Sequence, residues 1–308
     1  MGNVHALIRQ HGVDIARSMT STKAERNAVD AAAEIMAEEE ARFGITHAGF
    51  AMIGLLHRKI ADVVWRKSGP QITLLVASGH NEKGTPIGVP YGSIARLILL
   101  YLQTEAIRTG SAEFELGRSM NAWLSKMEIA ISGRTCQLVA EQARRISPCR
   151  LTFFLDKPGA KVFENGAFVA GGISMAGVYD PCQPMLWQEK VRLDEGFLRS
   201  LREHPVPVRE EAIRVIGTRS MAIDIYIWLA YRLHVLQKPT PISWLSVHNQ
   251  FGGGFKHVRQ FKPTFMDSLG MALAVYPEAH VEADADGMTL YPSPPAIPKA
   301  DAKRLGLY

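Results

Sequence analysis

Cysteine is scarce in this sequence and poorly spaced for chemistry. Only Cys136, Cys149 and Cys182 occur among 308 residues, and no two stand as C-x-x-C. That excludes a disulfide scaffold and a zinc ribbon and points to a reducing compartment. The histidines supply neither a His-apolar-His pair, which a metal-dependent strand-nicking centre would need, nor H-E-x-x-H. No Gly-Lys dipeptide occurs, so a phosphate loop ending in Gly-Lys-Ser/Thr is excluded, and there is no G-x-S-x-G elbow. Gly252–Gly254 lacks the lysine and hydroxyl of such a loop, and Gly171-Gly172 lacks the spacing of a dinucleotide loop; both read as turns. Long apolar runs are missing too. The two greasiest stretches are broken by Arg96 and Glu105 and by Asp224 and Arg232, so no membrane span is expected. Without a signal-like apolar segment near Met1, the expected location is cytoplasmic. No cofactor, no metal and no enzymatic activity are expected.

What is present is the composition of a folded soluble chain, 47% hydrophobic and 21% charged, with a formal charge of +5. The excess is modest for the length, but its placement is not even. From Phe251 to Tyr276 a glycine run feeds a segment in which Lys256, His257, Arg259, Gln260 and Lys262 crowd together without an acid. Phe261, Phe265, Leu269 and Ala272 share one helical face behind them. A one-sign cluster forgoes i to i+4 ion pairs and asks for an anion. Pro263 leaves two arrangements open. Either the helix begins near Lys262, with the proline in its first turn and Lys256, His257 and Arg259 in the preceding turn near phosphates, or a longer helix bends there. Glu278 to Pro292 then reads as a hairpin turning at Asp286-Gly287, where turn chemistry explains Asp284 and Asp286.

Further back, Ser21 to Arg42 is a mostly exposed helix ending in an acidic triplet, Glu38, Glu39 and Glu40. Ile72 to Ala77 is a short apolar strand, and 78–90 a polar connector. A strong helix runs from Tyr91 to Thr109 and stops at Gly110. Phe114 to Leu116 is extended, Ser119 caps a helix through Met127, and Ser132 caps another that ends before Pro148. In that last helix Cys136, Val139, Ala143 and Ile146 face inward, leaving Arg134, Gln137, Glu141, Arg144 and Arg145 toward solvent. Strands follow at Leu151 to Leu155, Lys161 to Val169, turning at Asn165-Gly166, and Leu186 to Leu193. Asp194 to Glu203 is a closing helix, and 204–207 a stiff linker. Helices at Arg209 to Ile216 and Met221 to Val235 and a strand at Thr240 to Trp244 lead into the basic helix and hairpin; Trp228 and Trp244 read as core. The same order of elements thus occurs twice.

The segments Tyr91-Gly92-Ser93-Ile94-Ala95-Arg96, Gln103-Thr104-Glu105-Ala106 and Glu115-Leu116-Gly117-Arg118-Ser119 resemble the RepA-type plasmid replication initiators. The resemblance continues at 225–233, Ile242-Ser243-Trp244, Gln250-Phe251-Gly252 and Tyr276-Pro277-Glu278-Ala279, and covers nearly everything from Val89 to Pro292. It implies tandem winged-helix domains, so the expected fold is α+β, with the helix of Ser21 to Arg42 as an N-terminal helical arm ahead of them. It also implies a protein that binds double-stranded DNA at repeated origin sites (iterons), opens the adjacent duplex and recruits the host replication initiator and replicative helicase.

The expected division is an arm and connector over 1–88, a first winged helix over 89–204 and a second over 205–308. The DNA-binding candidates are Arg134, Gln137, Arg144 and Arg145 in the first and Lys256, His257, Arg259, Gln260 and Lys262 in the second. A transcriptional repressor built from the same modules is the competing reading. A homodimer off DNA is expected, with Ile72 to Ala77 as a pairing edge and Ser21 to Arg42 as reinforcement.

Overall fold

In a computed structural model, residues 4–38, 42–69, 72–157, 160–171 and 190–304 are described, with side chains left out for 156–165 and 304. The chain opens with α1 (Val4–His11), α2 (Val13–Ser18) and α3 (Lys23–Ala37), followed by β1 (Phe43–His47), α4 (Ala48–Met52), β2 (Val64–Ser68) and β3 (Ile72–Ala77). Next come α5 (Gly92–Thr109), β4 (Glu113–Glu115), α6 (Met120–Lys126), α7 (Gly133–Ile146), β5 (Arg150–Lys157), β6 (Ala160–Ala167), β7 (Val169–Gly171), β8 (Lys190–Leu193) and α8 (Glu195–Glu203). The remainder is β9 (Pro205–Arg209), α9 (Glu210–Ile216), α10 (Ser220–Arg232), β10 (Thr240–Ser243), α11 (Trp244–Phe251), α12 (Val258–Ala274), β11 (Val281–Ala283), β12 (Gly287–Leu290) and α13 (Lys299–Arg304).

Two compact units form. One joins 1–44 to 206–308, and the other is the intervening 45–205. This differs from the expected division, because the first 44 residues belong with the last hundred rather than with a separate arm and connector. The reason lies in α3. Thr22 and Glu25 close a capping box at its start, and Val29, Ala31, Ala32 and Ile35 are buried, packing the helix against α12, α9, α1 and α2. His5 of α1 is buried with Nε2 at 2.8 Å from the carbonyl of Ala274, and Arg214 pairs with Glu34 and Glu38. The helix expected to be mostly exposed is therefore docked. Of its acidic triplet, Glu39 and Glu40 lie outside the described residues.

In the 1–44/206–308 unit, α10 is buried from Met221 to Ala230, and α12 buries Phe261, Phe265, Leu269 and Ala272 as their spacing requires. Phe251, Phe261 and Phe265 meet at 5.2–5.5 Å between ring centres, with Trp228 on Phe251 at 5.4 Å and Trp244 on Phe265 at 6.0 Å. The strands close a three-stranded sheet in the order β10-β12-β11.

In the 45–205 unit, α5 ends at Gly110 in the left-handed conformation, φ 68°, and Ser119 and Ser132 cap α6 and α7. A three-stranded sheet has the order β4-β8-β7, the same arrangement of first, third and second strand as in the other unit. A second sheet has the order β2-β3-β5-β6. Two expectations are corrected here. Ile72 to Ala77 is β3, hydrogen-bonded to β2 on one side and β5 on the other, so it offers no edge to a second copy. Asn165 and Gly166 lie within β6 opposite Thr152 and Leu151, so the register carries the β5–β6 strands past that dipeptide to pair Ala160 with Lys157. Residues 186–189 of the strand expected to begin at Leu186 lie outside the described residues, as do Cys182 and Gly172. Of the expected stiff linker, 205–207 belong to β9 and His204 caps the end of α8.

Candidate nucleic-acid interface

Each unit contains helix, strand, helix, helix, strand, strand: α5-β4-α6-α7 with β7-β8, and α10-β10-α11-α12 with β11-β12. That is the element order of a winged helix, in which the third helix enters the major groove. In the 45–205 unit the four-stranded sheet enters through β5 and β6, between the third helix and the wing strands.

On α7, burial sorts the expected residues. Val139, Ala143 and Ile146 are fully buried, while Arg134, Gln137 and Arg144 are exposed and make no ion pair among the described residues. Cys136, expected inward, is only half-buried. Arg145 is the correction: its side chain is 5% exposed. It donates to Glu141 Oε1 at 2.9 Å and to the Val89 carbonyl at 3.1 Å, and its guanidinium lies 5.2 Å from the Tyr91 ring centre. Helical spacing puts position 145 beside 134 and 141, but residues 88–91 cover that end of the helix. Gly88, at φ 98°, lies so near the guanidinium that a Cβ there would meet Nη1 at 2.2 Å. Gln142 accepts from the Tyr91 N–H at 2.9 Å, and burial followed by the Glu141 charge raises the Tyr91 phenol above its ordinary range. Arg145 thus fixes α7 to the start of α5 rather than facing a ligand.

The turn before α7 carries Glu128 at φ 54°, a non-glycine residue in left-handed backbone. Ile129 N–H closes onto the Leu124 carbonyl at 2.9 Å and terminates α6.

On α12 the start near Lys262 is ruled out: the helix begins at Val258 and contains Pro263. Arg259 and Gln260 occupy its first turn, exposed, and His257 and Lys256 precede it, also exposed. Gly252 N–H donates to the His248 carbonyl, His248 Nε2 lies 3.0 Å from the Phe255 carbonyl, and Gly254 turns the chain at φ 100°. This fold of the glycine loop delivers four of the five expected residues to one helix start. Lys262 is the fifth, and it is drawn away. Its ammonium sits 4.4 Å from the centre of the Trp244 ring and donates to the Asp284 carbonyl at 3.1 Å. Trp244 Nε1 donates to the same carbonyl at 3.1 Å. Lys262 therefore holds the β11–β12 turn to α11 and α12. Sequence reasoning missed this clamp because its members are distant along the chain.

The wing of this unit is acidic. Glu282, Asp284 and Asp286 are exposed; Asp284 accepts from the N–H groups of Asp286 and Gly287, which hold its carboxyl below the usual range. A tip of this charge repels phosphate, so the basic helix start is the surface of this unit suited to a polyanion.

No helix among the described residues is long and apolar enough to cross a membrane. No curated protein matches the chain. Two solved structures of domains 2 and 3 of RctB share the fold. One, of selenomethionine derivatives, aligns at a TM-score of 0.53 with 10% identity over 81% of this chain and 98% of that one. The other aligns at 0.51 with 10% identity over 78% and 94%. The family described as plasmid encoded RepA protein matches residues 89–244, half of the chain, from the connector before α5 to the start of α11. By that match the chain belongs to the RepA family of plasmid replication initiators.

Proposed function

We propose that this initiator binds directly repeated sites (iterons) at a plasmid origin through the exposed faces of α7 and α12. On this reading it promotes opening of the adjacent duplex and recruits the host replication initiator and replicative helicase, in the cytoplasm and without catalysis of its own. The observation that carries the reading is the duplication: the same element order and strand order in both units, each with a third helix that carries exposed basic or amide side chains. Arg134, Gln137 and Arg144 are the contacts in one unit and Lys256, His257, Arg259 and Gln260 in the other. Arg145 and Lys262, given their internal bonds, are left out.

A homodimer off DNA belongs to the same proposal, with its seam moved from β3 to β2, which pairs on one side only among the described strands. Supercoiled origin DNA tests the function. Protection of repeated sites together with permanganate-reactive thymines in a neighbouring A·T tract is the expected result. Protection without melting would favour repression of the protein's own promoter, and nicking would revive an enzyme.

A further inference from the structure

The exposed part of α7 carries one residue that neither the fold nor phosphate binding explains. Leu138 is 37% exposed on a helix whose packing is already supplied by Val139, Ala143 and Ile146, each at 0%. It follows Gln137 directly, and Arg134 lies one turn earlier on the same exposed half. Ile131, 53% exposed, sits just ahead of the Ser132 cap. The helix has one acid, Glu141, and it is turned back onto Arg145 and Tyr91. The surface around Leu138 is thus positive and amide-bearing, which suits the edge of a base pair better than a protein partner.

In the major groove an A·T pair presents adenine N7 and N6 beside the C5 methyl group of thymine, and glutamine reads the first pair while an apolar group reads the methyl. We propose that Gln137 and Leu138 act together as an A·T reader, Gln137 bonding the adenine edge and Leu138 seating against a thymine methyl. Arg134 takes a guanine one protein turn away. The inference rests on the reading of α7 as a base-contacting helix and narrows the ligand to sites holding a methylated pyrimidine at one fixed position.

The test uses the full chain and a set of origin duplexes in which single thymines are replaced by deoxyuridine, which removes the methyl group and nothing else. One position in each repeat is expected to weaken wild-type binding about 4-fold, the value of one buried methyl group. Leu138→Ala should bind thymine and deoxyuridine there equally, with an unchanged salt slope, while Leu138→Met keeps the preference. Wild-type protein indifferent to every replacement in a repeat it still protects overturns the inference and leaves the initiator reading intact. Failure to protect any origin repeat overturns the initiator reading itself. Should Leu138→Ala melt early, the wild-type series alone decides.

Discussion

Arg134 and Arg145 stand on one helix and meet opposite conditions, which separates their expected phenotypes. Arg134 is exposed and unpaired among the described residues, so Arg134→Ala should leave the melting temperature unchanged and narrow the gap between specific and nonspecific binding by about 1–3 kcal/mol. Arg145→Ala should do the reverse, costing about 2 kcal/mol of stability through the charged hydrogen bonds to Glu141 and Val89 while sparing the salt slope. Thermal melts alongside competition binding check both, and equal effects on binding would remove the distinction. The same logic divides the lysines. Lys256→Ala should lower the slope of log affinity against log salt by about 1, because one phosphate contact releases one counterion. Lys262→Ala should leave that slope alone and loosen the wing instead, with loss of about 1 kcal/mol from the Trp244 contact. A salt titration of both variants, with hydrogen exchange across 281–290, reads the difference.

Among the elements, the turn between α6 and α7 stores a small strain that can be removed. Glu128→Gly places the residue suited to left-handed backbone at φ 54° and should raise stability by about 1 kcal/mol, seen as a higher melting temperature. It also takes a carboxylate out of the turn that leads into α7, so DNA affinity should rise; a fall in affinity would mean Glu128 itself bonds the ligand. Helix boundaries of this kind were legible in the sequence, since Ser119, Ser132 and Gly110 signal their ends through local hydrogen bonds and backbone freedom. The inward face of α12 was equally legible from four residues at helical spacing. What was not legible depended on partners far along the chain: the covering of Arg145 by residues 88–91, the Lys262–Trp244 clamp, and the docking of α3. Asn165-Gly166 carries a strong local turn signal, yet the ladder between β5 and β6 runs through it, and eight paired positions outweigh one dipeptide.

At the scale of the whole molecule, one unit is assembled from two segments that flank the other. The burial of His5 predicts that this assembly loosens in acid. Burial lowers its pKa, the nearby Arg9 reinforcing this while the Ala274 carbonyl and Glu278 oppose it. A histidine with a depressed folded pKa contributes stability that is complete above its unfolded value of about 6.5 and is lost as pH falls below it. Protection factors of the amides of 4–37, with the intrinsic fall of exchange rate with pH divided out, should therefore be smaller at about pH 5.5 than at neutrality, and His5→Leu should abolish the change. Persistence of the change in that variant would assign it elsewhere. Separating the segments tests the arrangement directly. Residues 45–205 should fold alone with a cooperative melt, whereas 206–308 alone, with the α3-facing side of α12 uncovered, should melt lower than the same fragment supplied with 1–44. Equal melting of the two would show that α3 adds nothing to the core. The interleaving also sets an order in time. During synthesis the chain must keep α1 to α3 waiting through some two hundred further residues before α12 exists to receive them. The inserted unit can close first, and a ribosome stalled before residue 258 should carry one finished unit and a protease-sensitive leading end.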